Sequence, residues 1–212
     1  MRRLRRLMFV VVTVAAGCGD GDGSPVSPPV PTEVIEGESG LTAPDPDSLP
    51  EAVAPQGLDE VTLPDRAEDI TALFDRLPSD LVGGTRTDES SGNDPQGITA
   101  SYGSTQPVGC GTVGLQAMNV STGDFFPQDW TAETVVAAFT TGADWTVEDF
   151  GRDGDLFWVQ IATTCSSESS STVDSVSAMS WGARGSPWVF SASAGDPDSR
   201  DQLTSAFVTA SR

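Results

Sequence analysis

The run Asp155-Leu156-Phe157-Trp158-Val159-Gln160-Ile161-Ala162-Thr163-Thr164-Cys165 leaves this chain few folds to choose from. Phe157, Val159, Ile161, Thr163 and Cys165 occupy alternate positions, and alternate side chains of a strand share one face. β-branched and aromatic residues dominate, as a half-buried pleated surface favours. The spacing predicts the central strand of an antiparallel sheet. Asp153-Gly154 just before it is a hairpin signal joining it to a strand over 145–150. A second antiparallel pair is expected over 173–181 and 188–194, turning through Arg184-Gly185-Ser186-Pro187.

Further strands are expected over 82–87, over 98–102, where Ile98, Ala100 and Tyr102 alternate with smaller or polar residues, and after Cys110. There Val113, Leu115 and Ala117 alternate, and the apolar positions then change face to Met118 and Val120, which predicts a bulge. Three stretches have the helical period. Ile70, Leu73, Phe74 and Leu77 follow Pro64 and three acids, and Pro78 should stop that helix. Thr131 is a candidate N-cap for a helix burying Val135, Ala138 and Phe139 and ending at Gly142. Asp196-Pro197 should cap a last helix with Leu203, Ala206, Phe207 and Ala210 on one face. Helix, strands, helix, four strands, helix is an α+β order, a single antiparallel sheet with helices packed mainly on one face.

The start of the chain has a different character. Arg2, Arg3, Arg5 and Arg6 precede an apolar run, Leu7 to Ala16, too short to span a bilayer comfortably. Ala15-Ala16-Gly17-Cys18 then resembles the lipobox of bacterial lipoproteins, with Ala15 where leucine is usual. The resemblance implies a signal peptide over 1–17 and a diacylglycerol-linked cysteine at Cys18. It also implies an exported domain held at the outer face of the cell membrane by that anchor. Residues 18–57 read as a disordered tether, because Pro, Gly and acids recur there with too little apolar surface to offset ordering. The folded domain is expected over 58–212. Its element order resembles small lipoproteins with a PsbP-like fold, although no motif carries residues across.

Composition excludes much chemistry. The chain has no Lys and no His. Outside the first ten residues, seven arginines face 31 acids, a net charge of −24. Such a surface repels nucleic acid and anionic headgroups. Without His there is no Ser-His-Asp or Cys-His arrangement, and without Lys no Schiff base or Ser-Lys pair. No catalytic residues, metal site or cofactor are expected. With Cys18 lipidated, Cys110 and Cys165 are an even pair in an oxidising compartment, and a disulfide is expected. The loop Gly123 to Trp130 carries Phe125, Phe126 and Trp130 before the second helix. Trp130 and Phe126 are expected inside the core, and Phe125 is the candidate ligand contact. Three functions fit: a lipid-anchored binding or interaction module for a protein or small apolar ligand, a carboxylate-dependent cell-wall or polysaccharide hydrolase, and a passive surface or assembly component. Asp144, Glu148, Asp149, Asp153 and Asp155 are the acids a hydrolase would draw on.

Overall fold

A computed structural model describes residues 45–90, 97–103, 113–122, 126–127, 129–141, 145–166 and 173–212. Its frame is one eight-stranded antiparallel sheet. In chain order the elements are α1 (Ala67–Asp75), β1 (Asp80–Leu81), β2 (Gly84–Ser90), β3 (Gly97–Tyr102), β4 (Gly114–Asn119), α2 (Ala132–Phe139), β5 (Thr146–Asp153), β6 (Leu156–Ser166), β7 (Val173–Ala183), β8 (Trp188–Ala194) and α3 (Pro197–Ser211). The strand order is β1-β2-β3-β4-β8-β7-β6-β5. Each half of the chain thus supplies a helix and a four-strand meander. The halves meet where β4 pairs with β8, Ala117 opposite Phe190. The α+β class read from the sequence is the class found.

The run over 155–165 is the long strand β6, but it is not central. It lies next to the edge, between β7 and the edge strand β5. Its apolar density comes from cover on both faces. Phe157 and Val159 join the cluster beneath α2, while Leu156 and Trp158 join the opposite cluster with α1 and α3. The same cause removes the bulge expected near Met118. β4 keeps unbroken register with β3 and β8. Leu115 and Ala117 face α1 and α3, and Met118 faces α2. A strand covered on both faces is apolar at consecutive positions without any change of phase. The sheet does bulge elsewhere, at Glu148 in β5, where the register shifts between Val147 and Asp149.

Two helices cover one face and α2 the other, as the periodicity requires, but the caps differ from expectation. Pro64 lies upstream of α1, whose N-cap is Arg66, and the Arg66 side chain bonds Asp69 at 2.7 Å. Thr131 is the N-cap of α2 without a side-chain bond to the backbone. That helix ends at Phe139, before the expected Gly142. Nearly every side of α2 is buried, and Ala138, expected inside, is only half-buried. Asp196 caps α3 as read, accepting from the Ser199 N–H at 2.9 Å. Burial of Leu203 and Phe207 holds α3 on the sheet, while Ala206 is left half-buried.

The packed chain begins upstream of the expected boundary at residue 58. Residues 45–57 form a strap that runs from the β5 edge of the sheet, where Glu51 bridges Arg152, to α3, where Gln56 accepts from Ser205. Leu49 and Ala54 are buried. Ala52 N–H donates to Arg152 O, and Arg152 N–H to Pro50 O, each at 2.9 Å. Gly151 leaves room for this approach, since a Cβ there would meet Ala52 Cβ at 2.9 Å. Composition concealed the strap because it is fastened by backbone bonds and by arginines distant in sequence. Arg152 bonds Leu49 O and Glu51, and Arg184 bonds Asp47. The Arg184 guanidinium beside Asp47 holds that carboxyl below its ordinary value.

Candidate functional site

The aromatic loop turns inward. Phe126 and Trp130 are both 6 % exposed and stack with centroids 6.1 Å apart in the cluster beneath α2. Trp130 directly precedes the N-cap and shares that cluster with Val135, the arrangement of a hydrophobic staple. Phe125, the candidate ligand contact, lies outside the described residues, as do Cys18 and Cys110. For Cys165 the backbone alone is described, opposite Asp174.

The acids on the β5–β6 hairpin separate into different tasks. Asp149 accepts from the Phe150 N–H at 2.9 Å, Asp153 receives the Ala54 N–H of the strap, and exposed Asp155 stands 3.6 Å from Arg184. Asp144 is outside the described residues. Of the described acids on this hairpin, Glu148 lines a concave site.

Every arginine of the folded part has an internal partner. Arg66 pairs with Glu68 and Asp69, and Arg76 donates to Ala210 O. Arg86 donates to Phe74 O and Leu77 O, satisfying carbonyls at the end of α1. Arg152 and Arg184 hold the strap, and Arg212 pairs with Glu60. Arg200 is the most buried, 4 % exposed. Its Nη1 donates to Glu148 Oε2 at 3.1 Å and Ser177 Oγ at 2.9 Å, and its Nε to Asp201 Oδ1 at 2.9 Å. A guanidinium satisfies such a fork because its donors are fixed in one plane.

That fork stands beside a cavity of about 450 Å³ where β5, β6 and β7 meet the start of α3. Glu148 and Thr146 come from β5, Thr164 from β6, Ser175 and Ser177 from β7, and Gly195 and Pro197 from the entry to α3. Alternation and register explain the floor. Ala162 opposes Ser177 and Thr164 opposes Ser175, so these four side chains share one face. The bulge at Glu148 turns an edge carboxylate toward Arg200. Among the described lining residues Glu148 is the one acid, and the side-chain hydroxyls of Thr146, Thr164 and Ser175 have no partner among the described residues. Ser177 is 4 % exposed and accepts from Arg200, which leaves its own hydroxyl proton to donate.

A second concavity, about 700 Å³, runs between the end of α1 and the outer side of α3. Pro78, Leu81, Ala206 and Ala210 give it an apolar floor, with Asp198 and Asp201 at its rim. Its arginines, Arg76 and Arg212, are engaged with Ala210 O and Glu60. No group of acids among the described residues is arranged to hold a metal ion.

Sequence reasoning passed over Arg200 and Ser177, although one signal was present. Arg200, Leu203, Thr204 and Phe207 lie at i, i+3, i+4 and i+7, so an arginine stands on the apolar stripe of the last helix. A charge there must meet a partner across the interface. The partner residues, on β5 and β7, become visible only through the sheet order. No protein-family model matches the chain, and no curated protein or solved structure matches it either.

Proposed function

We propose that this chain is a lipid-anchored extracytoplasmic binding module, with the cavity between β5, β7 and α3 as its ligand site. The observation that carries this is a buried serine and a half-open carboxylate that line one concave face and are both held by a buried arginine beside it. Small-molecule sites have this character, a few placed polar groups in a cavity of about 300–1,000 Å³. Export and anchoring rest on the lipobox-like Ala15 to Cys18, and the Cys110–Cys165 disulfide on the compartment this implies.

A hydrolase needs two carboxylates facing each other across a cleft, about 5–10 Å apart. Here Glu148 and Asp201 flank one guanidinium and open into different concavities. That arrangement favours binding over acid–base chemistry. In the α1–α3 groove the arginines hold the fold together, so its polar groups do not converge on a guest.

The test is native mass spectrometry of protein isolated from its own membranes. Wild-type protein should carry diacylglycerol on Cys18 and a co-purifying small molecule. Ala162→Trp, which fills the cavity floor, should keep the lipid and lose the small molecule. An adduct unchanged by that substitution, or none at all, defeats the assignment of the cavity. An unlipidated mature chain defeats the anchor.

A further inference from the structure

Resting on the assignment of that cavity as the binding site, we infer that its ligand is a saccharide, bound through a pair of neighbouring hydroxyls on the Glu148 carboxylate. Three observations narrow the chemistry. First, no cation is available for an anionic ligand. All seven arginines of the folded part are engaged internally, and the chain has no Lys or His. A phosphate or carboxylate entering the cavity would meet Glu148, and the one guanidinium beside it, Arg200, is already shared between Glu148 and Asp201.

Second, a guest that displaces water from the cavity must offer partners to the hydroxyls of Thr146, Thr164, Ser175 and Ser177 and to the carboxylate of Glu148. A wholly apolar guest would bury them unsatisfied. Hydroxyls both donate and accept, while an ionised carboxylate only accepts. The complementary guest therefore carries several hydroxyl groups of its own. Third, the polar groups are held before a guest arrives. Arg200 fixes one Glu148 oxygen at 3.1 Å and Ser177 at 2.9 Å, leaving Glu148 Oε1 without a described partner. Ala162 and Pro197 supply an apolar part of the lining for the C–H faces of a sugar ring. Bonds from neutral hydroxyls to a charged carboxylate are the stronger kind, and preorganisation lessens the cost of making them.

The experiment uses the intact chain in detergent, labelled with ¹⁵N and titrated separately with cellobiose, chitobiose, maltose, mannobiose and choline chloride. At least one disaccharide should saturate and shift the amides of Glu148, Thr164 and Ser175. Glu148→Gln should weaken that disaccharide about tenfold or more, and Thr164→Val several-fold. Thr164 is exposed, so its variant reports on binding even where Glu148→Gln disturbs the fold. Saturation by choline with no response to any disaccharide overturns the saccharide and leaves the cavity as a site for organic cations. No response to any of the five probes up to about 10 mM, beyond the weakest useful affinities, overturns both the saccharide and the cavity as a site. Disaccharide binding unchanged by both substitutions also overturns the inference.

Discussion

Arg200 is the most buried charged residue among those described, and Trp130 anchors the core beneath α2. Trp130 precedes α2 and fills the space beneath it, stacked on Phe126. Trp130→Ala should therefore cost about 3 kcal/mol or more, as large-to-small changes in cores do. Urea unfolding of the variant checks this, and an unchanged midpoint would mean that the ring is not packed. Two other tryptophans mark the opposite cluster. Trp158 and Trp181 are cross-strand partners, and their indole N–H groups have no described acceptor. They are kept for their ring area, since an unsatisfied buried donor costs about 1–3 kcal/mol. Trp188 differs, because its N–H reaches Asp65 O at 3.0 Å and ties the entry of α1 to β8.

At the scale of elements, α2 shows why two helix faces need two kinds of cover. It lies against β6, β7 and β8 through Val135, Val136 and Phe139, opposite the side taken by α1 and α3. The approach to β7 is close because position 182 is a glycine. A Cβ there would meet Ala132 Cβ at 2.8 Å and Trp188 O at 3.2 Å. Gly182→Val should push the first turn of α2 off the sheet and destabilise by about 1–3 kcal/mol, as overpacking does. Thermal melts would measure the loss, and adding Ala132→Gly should recover part of it. Without recovery, the clash at Ala132 is not the cause.

For the whole molecule, pH should act at two places. Asp47 is held below its ordinary value of 3.8 by its bond to Arg184. Its contribution is then present above 3.8 and lost as pH falls through the lower folded value. The protection factor of the Ala52 amide, which bonds Arg152 O, should hold at pH 5 and fall as pH drops below 3.8. Equal protection across that range would dissociate the Asp47 pair from the strap. At the other extreme, burial raises the Tyr102 hydroxyl above its ordinary value of 10.0, and it donates to Pro78 O at 2.9 Å. A raised acid stabilises fully below its unfolded value and loses that contribution as pH rises through the folded one. Stability should therefore hold to about pH 10 and then fall, and Tyr102→Phe should flatten the fall.

The amino-acid sequence by itself determined the class of the fold, because period-2 and period-3.6 patterns survive in any tertiary context. The β5–β6 and β7–β8 hairpins and the Asp196 cap depend on local turn and cap chemistry, and they were legible for that reason. The interior positions of Phe126 and Trp130 were legible because a large ring beside a cap has one place to go. Strand order was not legible. Alternation says that β6 is buried, and it does not say which strands lie beside it or that both its faces are covered. The strap over 45–57 read as tether because its stability comes from Arg152, Arg184 and Gly151, about a hundred residues away in the chain. The cavity belongs wholly to tertiary structure. Glu148, Ser177 and Arg200 lie on three elements and carry no motif, and only sheet pairing and the docking of α3 bring a carboxylate, a hydroxyl and a guanidinium within hydrogen-bond reach.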